Sequence, residues 1–332
     1  MSRLNTYEAA FLCNSTDNLE RVYGAGRRAK IEGRVETVPG VVSTQSLRQR
    51  RLELSKVRYL FSTWGMPVLG AAELAILPSL QAVFYAAGSV QHFARSLLAA
   101  GITVVSAWAA NAVPVAEYTT AQITLAAKGF FRAVRNVGRP YERDAFPGMF
   151  DTDIGILGAG MIGSLVISML PKSELRLHVF DPYLSDEKAR RLGVHPESIE
   201  SVFSNSMVVS NHLADNAGTR RLINGSLLRM LPRNGTFINT GRGATVHERE
   251  LIDLLSERAD LTALLDVTDP EPPDEDSPLR GMENVILTPH IAGSIGNEVR
   301  RQADFVIAEF ENLLAGNPLK YSVTSEMLET MA

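Results

Sequence analysis

Largely continuous apolar runs alternate with stretches of helical period over the first hundred residues. The runs are Ala9–Cys13, Val35–Val38, Val57–Ser62, Leu80–Ala86 and Thr103–Ala107, and short apolar runs of this kind are read as strands. Helical patterns fall near 19–34, 71–78 and 91–100, so the alternation predicts a parallel sheet with covering helices. A long helix is expected to open at Ala112-Val113-Pro114, with Pro114 in its first turn, and to reach Ala133. A loop from Gly138 to Thr152, carrying Pro140, Pro147 and Gly148, leads to further strand runs at 154–157, 207–210, 235–239, 262–267 and 285–288. A last helix over about 297–314 resembles a crossing back to the first sheet. This organisation predicts one domain made of residues 1–112 and 297–332, wrapped in sequence around another of 113–296.

The second of these domains opens with Ile154-Gly155-Ile156-Leu157-Gly158-Ala159-Gly160-Met161-Ile162-Gly163, a G-x-G-x-x-G between a strand-like run and a helix-like one. Gly158 allows the tight turn, Gly160 lets the backbone approach a pyrophosphate, and Gly163 lets the helix pack close. The N–H groups of Met161 and Ile162 at the helix start then face the phosphates. Asp181, after Val179-Phe180, lies about 20 residues further on, where an acid accepts from both ribose hydroxyls. Its charge repels a 2′-phosphate and Pro182-Tyr183 supply no cation, which favours NAD over NADP. Gly24-Ala25-Gly26-Arg27-Arg28-Ala29 copies the spacing without a strand before it and is read as a helix interruption.

Composition excludes several classes. The chain has 332 residues, 45% of them hydrophobic, which is ample for two cores. Its 33 basic and 37 acidic residues include no basic block, so charge gives no case for nucleic acid or an anionic membrane. No apolar run has transmembrane length and Met1-Ser2-Arg3-Leu4-Asn5 carries no signal-peptide core, so a cytoplasmic protein is expected. Its single cysteine, Cys13, is read as a buried strand thiol.

Three later segments put reactive side chains just past strand ends, where ligands of open parallel sheets gather. Arg242, flanked by Gly241 and Gly243, offers a guanidinium that can hold a carboxylate bidentately and polarise a neighbouring carbonyl. Asp266 and Glu271 lie in Leu265-Asp266-Val267-Thr268-Asp269-Pro270-Glu271-Pro272, and His290 in Thr288-Pro289-His290-Ile291-Ala292-Gly293. His212 and Thr240 close two other strand runs, and His212 is read as positioning backbone. His178, His195 and His247 read as structural; the Asp269–Asp276 acids read as a solvated loop, and no metal is expected.

The four segments, in this order, resemble the D-isomer-specific 2-hydroxyacid dehydrogenase family over nearly the whole chain. The resemblance implies an α/β fold of two doubly wound parallel-sheet domains, a Rossmann NAD-binding domain and a flavodoxin-like substrate domain. It implies that His290 is the general acid/base, Glu271 its carboxylate partner, Arg242 the substrate-carboxylate anchor, and Asp266 a contact of the nicotinamide carboxamide; Ser210-Asn211-His212-Leu213-Ala214 resembles the family's cofactor-side strand end, which makes His212 and Thr240 candidate cofactor contacts. A carboxylate beside His290 favours the imidazolium, which keeps a proton available for the oxyanion formed as hydride arrives. A homodimer built on the cofactor domain is implied by resemblance alone. The chain departs from the family at Ala86-Ala87-Gly88-Ser89-Val90-Gln91-His92, which lacks the usual Asp-Asn pair and leaves the Ser89 and Val90 N–H groups to hold a substrate carboxylate. Thr268 stands where an aromatic is common.

The reading that follows is an NAD-dependent dehydrogenase acting between a small 2-oxo acid and its D-2-hydroxy acid. Alternatives are an NAD-sensing, corepressor-like binding protein and a phosphite dehydrogenase-like oxidoreductase. Trp64 and Trp108 follow strands and are expected to face the inter-domain cleft. Trp64–Gly70, Ala86–Val90 and Trp108–Pro114 contain no Lys or Arg, so an uncharged substrate side chain is expected and 3-phosphohydroxypyruvate is expected to be a poor substrate.

Overall fold

The structure, a computed structural model, describes residues 7–135 and 145–330. The first part of the loop expected over Gly138–Thr152, through residue 144, and the first residues read for a signal peptide lie outside the described residues. The chain divides into two compact units, one running to Asn111 and resuming at Ser294, the other spanning Ala112–Gly293.

The first unit holds strands β1 (Ala9–Leu12), β2 (Thr37–Val42), β3 (Tyr59–Ser62), β4 (Ala82–Tyr85), β5 (Thr103–Ser106) and β12 (Ser322–Val323), in the order β12-β5-β4-β3-β1-β2. All pairs are parallel except β12 with β5. β1, β3 and β4 are buried at every position, as a sheet covered on both faces requires. Successive residues of β1 serve opposite cores: Ala10 and Leu12 join one cluster, Ala9 and Phe11 the other. In the second cluster the Phe61 ring stacks on Phe84 at 5.2 Å and meets Phe310 edge-on at 5.0 Å. Tyr23 brings helix α1 (Thr16–Glu32) into the same cluster, and Phe310 brings helix α13 (Val299–Leu314), so the first and last long helices cover one face together.

Three departures from the sequence pattern have physical causes. β2 runs to Val42 rather than ending at Val38, because Pro39-Gly40 sit in an edge strand, where a missing N–H is tolerated and the register to β1 shifts. The long helix α6 starts at Trp108 and ends at Ala127, leaving Pro114 inside it rather than in its first turn. The alanines ahead of Pro114 are buried and propagate the helix despite the lost hydrogen bond. Gly129, at φ 69°, then stops it before the short α7 (Phe130–Ala133). Gly24 interrupts α1 with φ 53°, ψ 175°, which makes the decoy glycine pair a helix break.

The second unit holds β6 (Thr152–Leu157), β7 (Leu175–Phe180), β8 (Val208–Asn211), β9 (Thr236–Asn239), β10 (Thr262–Leu265) and β11 (Val285–Leu287), all parallel, in the order β11-β10-β9-β8-β6-β7. Helix α8 (Met161–Met169) and part of α6 cover one face. Helices α10 (Ile199–Asn205), α11 (Gly225–Arg229) and α12 (Glu248–Glu257) cover the other. The chain passes from β6 outward to β7 and then returns to β8 on the other side, so the strand order reverses at β6/β8, where a crevice opens in such sheets. No helix among the described residues is long and apolar enough to cross a membrane.

Candidate active site

The loop from β6 to α8 fits a dinucleotide. Gly158 has φ 85°, and a Cβ there would stand 2.9 Å from the His212 carbonyl oxygen. A Cβ on Gly163 would collide with the Gly158 carbonyl, whereas one on Gly160 would meet nothing within 4 Å. The loop is therefore closed on its protein side and open on the side where α8 presents its first-turn N–H groups, those of Met161 and Ile162 among them. Asp181, after β7, accepts the Ala159 N–H at 2.7 Å and the Tyr183 N–H at 2.8 Å. Its carboxylate is thus oriented over the turn, with acceptor positions left for ribose hydroxyls. At the end of β8, His212 shares a 3.0 Å hydrogen bond between Nε2 and Ser210 Oγ, while its buried Nδ1 has no partner. Burial pulls its imidazole down to about 3, so the ring is neutral at ordinary pH. Such an orphaned polar atom beside the crevice accords with a polar ligand there.

Arg242 is shaped by a network that the sequence motifs did not reveal. Asn211 Nδ2 donates to Asn239 Oδ1 at 3.0 Å and to Thr245 Oγ1 at 2.8 Å, Asn239 Nδ2 donates to the Arg242 carbonyl at 3.2 Å, and the Gly241 N–H donates back to Asn239 Oδ1 at 3.1 Å. Gly243 lies so close to the Thr268 backbone that a Cβ there would collide with it, which explains one of the two flanking glycines. Thr240 engages Thr119 of α6, hydroxyl to hydroxyl, at 2.9 Å. Burial pulls the Arg242 guanidinium down, and the charges of Glu271 and Asp215 raise it in opposition. Nη1 donates to the Gly241 carbonyl at 2.8 Å, and Arg242 makes no ion pair among the described residues. It remains a cation with donors to spare.

Glu271 and His290 meet. Nδ1 of His290 lies 2.5 Å from Glu271 Oε1, with both side chains about half exposed. A carboxylate oxygen accepts, so Nδ1 donates and Nε2 is left as the nitrogen that can exchange a proton with a ligand. His290 has φ 52°, a left-handed conformation that costs a non-glycine residue about 1 kcal/mol. Its N–H reaches the Asp266 and Thr288 carbonyls. The Asp266 carboxylate accepts the Thr288 hydroxyl at 2.6 Å and the Ile291 and Ala292 N–H groups at 2.9 Å each. A carboxylate offers about four acceptor positions, so at most one remains for a nicotinamide amide. The main structural work of Asp266 is to hold the His290 loop. The Thr268 hydroxyl donates to the Pro270 carbonyl at 2.8 Å, fastening the loop that carries Glu271.

Apart from Arg242, the residues read for substrate lie in the first unit, past the ends of β3, β4 and β5. Trp64 packs on both cores of that unit, and the Arg21 guanidinium lies 5.5 Å from its ring centroid. Its carbonyl accepts from Asn18 Nδ2 at 3.1 Å. Trp108 opens α6 and meets Tyr321 edge-on at 5.9 Å, while its buried Nε1 has no partner. Ser89 is exposed and Val90 is buried; Gly88 lies against Asn111, whose Oδ1 accepts from the Ser294 N–H and from Gln302. The exposed ring of His92 reaches the Met66 carbonyl at 3.3 Å. His178 sits in β7 between the carboxylates of Asp153 and Glu197.

A family model described as D-isomer specific 2-hydroxyacid dehydrogenase, NAD binding domain, matches residues 122–292. The chain is 30% identical over 233 residues to a D-3-phosphoglycerate dehydrogenase of Archaeoglobus fulgidus, covering 69% of this chain and 44% of that protein. It is 32% identical over 197 residues to an (S)-sulfolactate dehydrogenase of Chromohalobacter salexigens, covering 58% and 63%. The chain thus spans less than two thirds of the length of these curated relatives. Among solved structures, a phosphoglycerate oxidoreductase from Rhizobium etli matches with a TM-score of 0.77 at 23% identity, covering 95% of this chain and 98% of that one, a likeness of fold.

Proposed function

Because the chain belongs to the D-isomer specific 2-hydroxyacid dehydrogenase family, we propose that it is an NAD-dependent oxidoreductase interconverting a small 2-oxo acid and its D-2-hydroxy acid. The observation that carries this reading is the 2.5 Å contact of His290 Nδ1 with Glu271, in whose field the guanidinium of Arg242 lies. NADH, when bound, supplies the hydride. The spare donors of Arg242 hold the substrate carboxylate and polarise the carbonyl beside it. Nε2 of His290 gives its proton to the carbonyl oxygen as the alkoxide forms and takes it back in oxidation, while Glu271, accepting from Nδ1, fixes the ring and its tautomer. Gly158, Gly160 and Gly163, the Met161 and Ile162 N–H groups, Asp181, His212 and Thr240 would hold the cofactor, and Asp266 would contact its nicotinamide carboxamide. The test is NADH consumption across a panel of 2-oxo acids; no turnover with any member overturns the proposal in favour of a sensor that keeps the cofactor as a switch.

The substrate side chain is proposed to be uncharged, since Trp64–Gly70, Ala86–Val90 and Trp108–Pro114 contain Met66, Val68 and Leu69 and no Lys or Arg, with Val68 exposed. A second reading, an acidic distal group, is favoured by one observation: α1 brings Arg21 over Trp64. The two separate in one assay. Under the second reading Arg21→Ala lowers kcat/KM for phosphorylated or sulfonated 2-oxo acids, and under the first these are poor substrates of the native protein.

We also propose a homodimer built on the second unit, where Leu125, Phe130, Val134, Phe150 and Met169 are exposed apolar side chains of a kind that a second copy covers. A monomer at micromolar concentration in sedimentation counts against it. The reducing cytoplasm is the proposed compartment, in keeping with the buried free thiol of Cys13.

A further inference from the structure

Tyr118 lies in α6 outside every motif, yet its hydroxyl donates to Thr288 Oγ1 at 3.2 Å. Thr288 directly follows β11, two residues before His290, and its own hydroxyl donates to Asp266 Oδ1 at 2.6 Å. The directions of these bonds are set by chemistry. Both Asp266 oxygens already accept backbone N–H groups, so the carboxylate acts as acceptor and Thr288 must donate to it. The lone pair of Thr288 is then left for the proton of Tyr118. A threonine hydroxyl has more than one staggered position, and a donor on one side with an acceptor on the other selects the one that reaches both.

We propose that Tyr118 is a positioning residue for His290, acting through Thr288 and Asp266. The chain of bonds encloses the His290 backbone from both ends: its N–H is held by the carbonyls of Asp266 and Thr288, and the next two N–H groups by the Asp266 carboxylate. His290 keeps an unfavourable φ of 52° because these partners over-determine it. Loss of the Tyr118 proton frees the Thr288 hydroxyl to leave Asp266, and the loop can relax toward an ordinary backbone conformation that turns the imidazole away from Glu271. Tyr118 touches no reacting atom in this scheme. Its effect falls on the fraction of molecules whose His290 is aligned, which makes the proposal a refinement of the dehydrogenase reading, on which its kinetic part rests.

Tyr118→Phe removes one oxygen and keeps the ring. The expected result is a fall in kcat of roughly 3- to 10-fold, the scale of one neutral hydrogen bond, with unchanged KM for NADH and a melting temperature lower by only a few degrees. Thr288→Val should reproduce and exceed the loss, Thr288→Ser should retain most of the activity, and the Tyr118→Phe/Thr288→Val double variant should be no worse than Thr288→Val alone, because both act through one chain of bonds. A readout independent of turnover is the ring Cε1–H signal of His290 in ¹³C-histidine spectra, identified among the 6 histidines by its absence in His290→Ala. It should move in Tyr118→Phe and Thr288→Val and stay in Thr288→Ser. An unmoved signal in Tyr118→Phe overturns the proposal, as does unchanged kcat in a protein that does reduce a 2-oxo acid. A moved signal in a protein that reduces none leaves the positioning role standing and removes the proposed reaction instead.

Discussion

One methyl group, added in turn at two glycines of the β6–α8 loop, should separate what the loop does for the fold from what it does for the cofactor. At Gly163 the new Cβ collides with the Gly158 carbonyl, a backbone atom that cannot swing aside. Overpacking of this kind costs about 1–3 kcal/mol, which in a chain of this size lowers the melting temperature by roughly 2–10 °C. At Gly160 the new Cβ meets nothing within 4 Å, and the backbone, at φ −61° and ψ −152°, stands at the border of the extended region and not at the positive φ that strains alanine. Gly160→Ala should therefore leave the cofactor-free protein within about 1 kcal/mol of its native stability, on either side. Its cost appears with the ligand, because the methyl occupies the open side of the turn beside the N–H groups that a pyrophosphate uses. A hydrogen bond to a charged group contributes about 1.5–3 kcal/mol, so losing one weakens NADH binding by roughly 10- to 150-fold. Thermal melts without cofactor, paired with titration of NADH fluorescence, measure both quantities. Native-like NADH affinity in Gly160→Ala, or a melting loss equal to that of Gly163→Ala, refutes the division of labour.

Asp181→Ser should narrow a native preference for NADH over NADPH in kcat/KM, and equal efficiency with both cofactors in the native protein sinks the assignment of the ribose contact. His290→Ala should lower turnover by about two to four orders of magnitude with NADH binding intact, whereas Arg242→Ala should chiefly raise KM for the 2-oxo acid; near-normal turnover of the first removes the proton-transfer role. His212 has a folded value of about 3 against 6.5 for a free imidazole, so the unfolded chain binds the extra proton and the stability from the neutral ring is complete above pH 6.5 and lost as pH falls toward 3. Replacing it with Leu should flatten that acid-side loss in urea titrations, and an unaltered slope between pH 6.5 and 4 counts against a neutral buried ring.

The central strands are legible in sequence for one reason: a parallel sheet covered on both faces needs apolar side chains at every position, and β1, β3 and β4 supply them. Where that demand lapses, legibility lapses too. β12 is two residues long at an edge, and β2 continues through a proline that only an edge tolerates. The start of α6 was concealed because Pro114 resembles a first-turn residue while six residues of helix precede it. In the site, glycine spacing carries its own geometry, so the cofactor turn can be read directly from sequence. The meeting of Glu271 with His290 required a family likeness, since two strand-end loops give order along the chain and no distance. Tyr118 and Arg21 were beyond reach by either route. Each is a helix residue whose meaning comes from the strand end it happens to face, Thr288 for one and Trp64 for the other.

The two sheets show how little strand order decides by itself. Leaving β12 and β11 aside, both place the first strand between the second and third, so both have a reversal point beside their first strand. In the first unit that point is filled by the protein's own groups. The Asn14 N–H donates to the Gly65 carbonyl at 2.9 Å, the Trp64 carbonyl takes the Cys13 thiol at 3.3 Å and the Asn18 amide at 3.1 Å, and a Cβ on Gly65 would stand 3.0 Å from Cys13 Sγ. In the second unit the corresponding turn presents Gly160 to open space and leaves the first N–H groups of α8 without helical acceptors. Packing across the first crevice and vacancy beside the second follow from the residues Cys13-Asn14-Ser15 in one turn and Gly158-Ala159-Gly160 in the other. In the first turn the Cys13 thiol bonds to the Trp64 carbonyl, Asn14 Oδ1 accepts from Thr44 and Ser15 Oγ accepts from the Asn18 N–H, whereas the two glycines of the second leave its open side for phosphate, so the same topology yields a packed scaffold in one unit and a cofactor cradle in the other.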